Sequence, residues 1–261
     1  MGIHATAVVD ATARLGAVHI GPFAVIGANV ELADGVEVGA HAVIVGPTQV
    51  GARTRIHEHA VMGGEPQDLK HDRNAATRLV IGEDCVIREF VTVHRGSSLG
   101  RGITTLGDRC YLMANSHVAH DCQVGHDVMF ANSVALGGHV TVGDGAVFGG
   151  LAAVHQHARV GRLAMLGGGA MCAQDVPPFT LAQGDRARLY GLNVIGMKRR
   201  GLEGDVMTAL KEAWRTLFAS ELPRRTAAED VASRLGHVAE VAELLTFVAT
   251  SERGLCRTAA T

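Results

Sequence analysis

From Leu106 onward an apolar residue returns at every sixth position without a slip. The series is Leu106, Leu112, Val118, Val124, Phe130, Leu136, Val142, Phe148, Val154, Val160, Leu166 and Cys172. Neither an α-helix nor an ordinary strand produces that period. Six residues fit one flat face of a triangular, left-handed parallel β-helix, so about 18 make one coil. A second series falls four residues after each anchor and is small: Cys110, Ser116, Cys122, Val128, Val134, Val140, Ala146, Ala152 and Ala158. These point inward too, where three faces converge on a narrow axis. Glycine often follows the anchor, as at Gly107, Gly125, Gly137, Gly143, Gly149, Gly161 and Gly167. We read it there as the residue that a tight corner favours.

The same register opens the chain at Ile3, Val9 and Leu15. A five-residue step leads to Ile20, and steps of six continue through Ile56. Ile81, Ile87 and Val93 resume it. Two stretches break the pattern, at about 63–78 (GGEPQDLKHDRNAATR) and about 94–105 (HRGSSLGRGITT). An insertion leaves a solenoid as a loop, often on a binding face. Both are rich in charge and glycine and are functional candidates; tolerated surface insertions are the plainer alternative.

After Pro177 and Pro178 the period is expected to stop, because proline cannot donate to a coil ladder. Beyond about Gly191 the composition shifts to Lys, Arg, Glu, Ala and Leu. Val206, Leu210, Ala213, Trp214 and Leu217 have helical spacing, as do Val238, Val241, Leu244, Leu245 and Val248. Thr226 followed by Glu229 reads as a capping box. The expected organisation is a β-helix over residues 1–190 and a small C-terminal α-helical domain of three or four helices over 191–261. That domain would cap the last coil, whose edge is otherwise open.

Net charge is −2, which disfavours nucleic acid as a partner. Aromatic residues make up 4% and there are 33 glycines, which suits a narrow repetitive core. The five cysteines include no C-x-x-C, and Cys110, Cys122 and Cys172 take inward repeat positions. A disulfide framework is therefore not expected. The N-terminal MGIHATAVVD has no basic n-region and no apolar core, and no stretch has the length of a membrane span. The expectation is a cytoplasmic enzyme without stable membrane insertion.

Fourteen histidines are the next signal, with His117, His120, His126, His139, His155 and His157 clustered late in the solenoid. His120 and Asp121 fall between the two inward positions of their hexad and should point outward. With about 18 residues per coil, Asp121, His139 and His157 stack in one column, and Gly138 lies beside His120. An imidazole next to a carboxylate is a plausible general base, and a neighbouring glycine N–H can stabilise an oxyanion. Histidines decorating a polar face are the bland alternative, and a zinc site between subunits is a third reading. No P-loop, nucleophile elbow or H-E-x-x-H is present. From Asp185 to Arg200 there are five basic residues and one acidic, a run able to bind a diphosphate or an acidic carrier protein.

The segment SHVAHDC at Ser116–Cys122 resembles the catalytic segment of the UDP-N-acetylglucosamine 3-O-acyltransferases, which open lipid A biosynthesis. So do QDLK (Gln67–Lys70), TVHRG (Thr92–Gly96), AVHQ (Ala153–Gln156), AQDVPP (Ala173–Pro178) and GLNVIGMKRRG (Gly191–Gly201). The likeness covers nearly the whole chain, in order. It implies a homotrimer with an active site in each cleft between subunits, acyl carrier protein as donor, UDP-N-acetylglucosamine as acceptor, and no cofactor or metal. It further implies His120 as general base, Asp121 as its orienting partner and Gly138 as oxyanion donor. Asp68, Lys70, His117, His139, His155 and Gln156 would contact substrate. Asn193, Arg199 and Arg200 would lie near the nucleotide and carrier, and Gly168 would set the acyl groove. Ile195 stands where some members carry glutamate. Transfer to a 3-amino sugar nucleotide, or a zinc-dependent hydratase on the same fold, are the rival readings.

Overall fold

A computed structural model describes residues 2–259. Three sheets wrap one axis. In the described residues, sheet one has eleven strands, from Gly2–Ile3 to Arg188–Leu192. Sheet two has nine, from Val8–Val9 to Met171–Cys172, and sheet three has eight, from Arg14–Leu15 to Arg159–Val160. Up to Thr180–Gln183, the short strands pair in parallel with their neighbours one coil before and one coil after. His117 lies beside Ala135, Ala135 beside Ala153 and Ala153 beside Met171, a step of 18 residues. The first coil steps by 17, with Gly2 beside His19 and Val8 beside Val25. That is the residue missing before Ile20.

Every anchor from Leu106 to Cys172 is buried, as is every small residue of the second series. Burial of one aliphatic anchor contributes about 1.5–3 kcal/mol, so the stacked interior supplies most of the favourable energy. The hydroxyl of Ser116, a polar member of the inner series, donates to Met113 O at 2.8 Å. All five cysteines are free and buried.

The glycines after the anchors have a different cause from the one expected. None of the seven has a positive φ. Instead, a Cβ there would strike the next coil: at Gly149 it would lie 2.4 Å from Gly168 N, and at Gly161 2.3 Å from Pro178 N. The left-handed bends fall two residues later, at Arg109, Asn115, Asp121, Asp127, Ser133, His139, Gly145, Leu151, His157, Leu163 and Gly169, with φ between 54° and 69°. Asn, Asp and His tolerate this region better than most side chains. We therefore expect Gly161→Ala to destabilise the fold by at least about 1–3 kcal/mol and to lower the melting temperature by several degrees. Gly168→Ala should leave it unchanged, since its Cβ would approach nothing closer than 3.5 Å. Equal melting temperatures for the two variants in thermal denaturation would refute the steric reading.

Pro177 and Pro178 do not end the solenoid. They occupy a corner bracketed by Val176 N donating to Arg159 O and Phe179 N donating to Arg162 O, so no ladder donor is lost. Strand Thr180–Gln183 adds to sheet one beside Met165–Leu166, and Arg188–Leu192 folds back on it antiparallel. Four helices follow: α1 (Val194–Arg199), α2 (Gly204–Phe218), α3 (Arg224–Leu235) and α4 (Ala239–Ala249). The capping box does not form. Pro223 caps α3, so Thr226 is already inside the helix, and Glu229 pairs with Arg225 at 2.9 Å. Helix α4 covers the last coil. The Arg159 guanidinium lies 4.3 Å over the Phe247 ring, and Arg162 meets Glu243 at 2.8 Å. The tail then bridges Asp175 at Leu255 and Leu189 at Thr258. Among the described residues, no helix is long and apolar enough to cross a membrane.

Candidate active site

The corner between sheets two and three gathers the histidines. His120 Nδ1 lies 2.8 Å from Asp121 Oδ2, and His139 Nε2 lies 3.8 Å from the same oxygen. The His120 and His139 rings meet edge to face at 5.1 Å, and His139 stacks on His157 at 4.4 Å. Gly138 lies against the His120 ring: a Cβ there would come within 2.7 Å of Cε1. The column expected from the register is therefore present. Its left-handed backbone holds Asp121, His139 and His157 at φ 60°, 62° and 64°.

Asp121 points outward from the coil but is buried, because the second insertion folds over it. Ser97 donates to Oδ2 through its N–H at 3.0 Å and its hydroxyl at 2.6 Å, and Gly102 N–H reaches Oδ1 at 3.1 Å. Thr104 Oγ1 accepts from Asp121 N at 2.8 Å. Gly100 packs so closely that a Cβ would lie 2.3 Å from Oδ2. Burial raises the Asp121 carboxyl, but the hydrogen bonds from Ser97 and His120 outweigh it and hold it below its usual range. A carboxylate so engaged fixes the His120 tautomer, leaving Nε2 as the proton acceptor. Ligand atoms of His120, Asp121 and His139 lie within 4.8 Å of one another, close enough for a metal. The donors already spent on Asp121 fit an orienting carboxylate better than a metal ligand.

Sequence reasoning missed Ser97, Gly100, Gly102 and Thr104. The only hint was that the second insertion interrupts the repeat just before Asp121. It also passed over His94 as a site residue. His94 is buried, its ring meets His117 edge to face at 4.8 Å, and its Nδ1 has no partner among the described residues. His117 Nδ1 lies 2.7 Å from Thr92 Oγ1. The first insertion joins the second through Ser98, whose N–H donates to His71 Nδ1 and whose Oγ accepts from Asp72 N. Buried Arg95 clamps both, donating to Thr77 and to Gly63 O. On that first insertion Asp68 is half-buried, with its charge favouring protonation of His139, and Lys70 is exposed. His155 and Gln156 are exposed one coil above Gly138.

The remaining expected residues lie elsewhere on this chain. Gly168 is at the corner between sheets one and two, exposed above Gly150. Asn193 Nδ2 donates to Leu163 O at the corner between sheets three and one. Arg200 pairs there with Asp127 at 3.5 Å, and Arg199 is exposed.

Desolvation lowers His94 to about 4, and lowers His117 and His139 as well, so these rings fold in the neutral form. Their folded affinity for protons is below the unfolded value near 6.5, so their contribution is fully present above about pH 6.5 and is lost as pH falls below it. His94 alone accounts for up to about 3 kcal/mol by pH 4. The melting temperature should therefore drop between pH 7 and 5, and His94→Gln should flatten that drop. A wild-type profile flat over this window would refute it.

The fold is a left-handed parallel β-helix built of hexapeptide repeats, the architecture of the hexapeptide transferases. A family model described as bacterial transferase hexapeptide (six repeats) matches residues 103–138, and one described as UDP-N-acetylglucosamine O-acyltransferase, domain 2, matches residues 175–256. The acyl-[acyl-carrier-protein]–UDP-N-acetylglucosamine O-acyltransferase of Syntrophobacter fumaroxidans is 46% identical over 259 residues, covering 98% of this chain and all of that one. The enzyme of the same name from Stenotrophomonas maltophilia strain R551-3 is also 46% identical, covering 98% and 97%. The solved UDP-N-acetylglucosamine O-acyltransferase of Moraxella catarrhalis superposes with a TM-score of 0.95 at 37% identity, covering 98% and 100%. The chain belongs to the acyl-[acyl-carrier-protein]–UDP-N-acetylglucosamine O-acyltransferase family.

Proposed function

We propose that the protein moves a 3-hydroxyacyl group from acyl carrier protein to the glucosamine 3-hydroxyl of UDP-N-acetylglucosamine, the first step of lipid A biosynthesis. The observation that carries the chemistry is the buried Asp121 carboxylate, which fixes His120 directly beside Gly138. His120 Nε2 takes the proton of the 3-hydroxyl as its oxygen attacks the thioester carbonyl. The Gly138 N–H, which has no partner among the described residues, donates to the resulting oxyanion. Collapse breaks the carbon–sulfur bond, and the imidazolium returns its proton to the leaving thiolate. Asp68, Lys70, His117, His139, His155 and Gln156 surround this corner on the first insertion and adjacent coils, as sugar and acyl contacts.

The active unit is a cytoplasmic homotrimer. Gly168, Asn193, Arg199 and Arg200 belong to the same reaction but occupy other edges of the prism, so a complete site needs edges from neighbouring copies. A transfer assay with UDP-N-acetylglucosamine and a panel of 3-hydroxyacyl carrier proteins, read by mass spectrometry on protein sized by light scattering, tests this. The expected outcome is an O-acylated sugar nucleotide made by a species of three chains. Product only with a 3-amino acceptor, or a monomer of full activity, would overturn it.

A further inference from the structure

The basic run of Asp185–Arg200 is split by the fold. Arg200 goes to the edge beside Asp127, whereas Arg186 and Arg188 go to the far end of the His120 edge. Asp185 bridges Met171 and Ala187 N–H donates to Met171 O, which sets Arg186 on the rung above the last strand of sheet two. There Ala173, Gln174, Arg186, Arg188 and Arg257 line an open cavity of about 420 Å³. Continuing the register of Ala153 beside Met171, Ala173 and Gln174 follow His155 and Gln156 on the same edge that carries His120 and Gly138. The cavity thus stands three to four rungs above His120, roughly 14–19 Å at the usual spacing of parallel strands.

Its charge is unspent. The side chains of Arg186 and Arg257 make no hydrogen bond or ion pair among the described residues, and both are exposed. Among the described residues the Arg188 side chain donates only to Thr258 O, at 3.3 Å, and that of Arg253 only to Ala173 O, at 3.2 Å. The acidic groups of these segments are Asp185 and Glu252, both exposed, which leaves four arginines against two carboxylates. Arg186 is held in the left-handed region at φ 54°.

We propose that this arginine-lined cavity at the end of the His120 edge is the docking point for the acidic face of the acyl carrier protein. This rests on the donor assigned under the proposed function. Docking there would let the carrier's extended prosthetic arm run down the edge past Gln174 and Gln156, delivering its thioester between His120 and Gly138. Guanidinium groups suit carboxylate recognition, and unpaired arginines steer an acidic partner by long-range attraction.

The test is the steady-state kinetics of Arg186→Glu/Arg257→Glu and of the milder Arg186→Gln/Arg257→Gln, with acyl carrier protein and with the same acyl group on pantetheine alone. Thermal melts would confirm that both variants fold as wild type does. With the carrier, the charge-reversed variant should raise KM roughly tenfold or more and the milder one less, while kcat and the KM for UDP-N-acetylglucosamine hold. With acyl-pantetheine, neither variant should differ from wild type, and the salt dependence of kcat/KM seen with carrier should flatten. A carrier KM within about twofold of wild type, or an equal loss with acyl-pantetheine, would overturn the docking site while leaving the reaction intact. Failure of wild type to use any acyl carrier would instead remove the functional reading, and the docking site with it.

Discussion

His120→Ala is expected to keep the fold and the oligomer and to lose about 10²–10⁴-fold in kcat, the usual cost of a general base. The loss should fall on kcat, not on KM, because the imidazole acts on a proton in flight and binds the ground state weakly. The ring is mostly buried, with its side chain 13% exposed, and it packs edge to face on His139. A modest drop in melting temperature is therefore compatible with the assignment. A folded variant retaining more than about a tenth of wild-type turnover is not.

Asp121→Asn should be nearly as damaging, for a different reason. Asparagine tolerates the φ of 60° at this corner and keeps the shape of the side chain. An amide nitrogen cannot accept from Ser97, Gly102 or His120, all of which donate to the carboxylate in the native protein. Either the ring flips or a buried donor goes unpaired. We expect a loss of at least about 10²-fold in kcat, together with about 1–3 kcal/mol of stability lost locally. The stability loss should show as faster proteolysis of the 95–102 insertion, whose contact with Asp121 anchors it. Ser97→Ala, which removes one of the four donors and keeps the Ser97 backbone N–H, should give a smaller loss in the same assays. If Asp121→Asn matched wild type in both assays, the carboxylate would have no orienting role.

The repeat was readable because each hexad makes the same demand: one large and one small inward residue on a narrow axis. It placed the strands, the coil step of 18, the 17-residue first coil and both insertions. It also stacks Asp121, His139 and His157 in one column. What it could not convey was anything that depends on a chain folding outside the lattice. Nothing in HRGSSLGRGITT says that Ser97 and Gly102 turn back onto Asp121, since neither follows a periodic rule. The corner glycines were misread because adjacency to the anchor suggests a bend, whereas the constraint comes from the coil above. Gly161 shows it most plainly, facing Pro178 seventeen residues later. The six-residue period does lapse after Pro177 and Pro178, with Leu166 beside Ala182 at a step of 16, but the coil continues through one more strand because a proline harmful within a ladder is harmless at a vertex. The family likeness names residues on all three edges, and one copy of the chain keeps them apart.

The even register also limits how such an enzyme can change. Along an edge, one coil advances every feature by a single strand spacing, about 4.8 Å. The separation between the chemistry at His120 and anything farther up that edge therefore comes in whole steps. Duplicating or deleting a complete coil would lengthen or shorten that separation by one increment and keep every inward residue inward. A change of one or two residues would instead turn anchors toward solvent. A lineage adapting to a longer or shorter donor arm thus has two routes: resize side chains on the existing rungs, or count in coils.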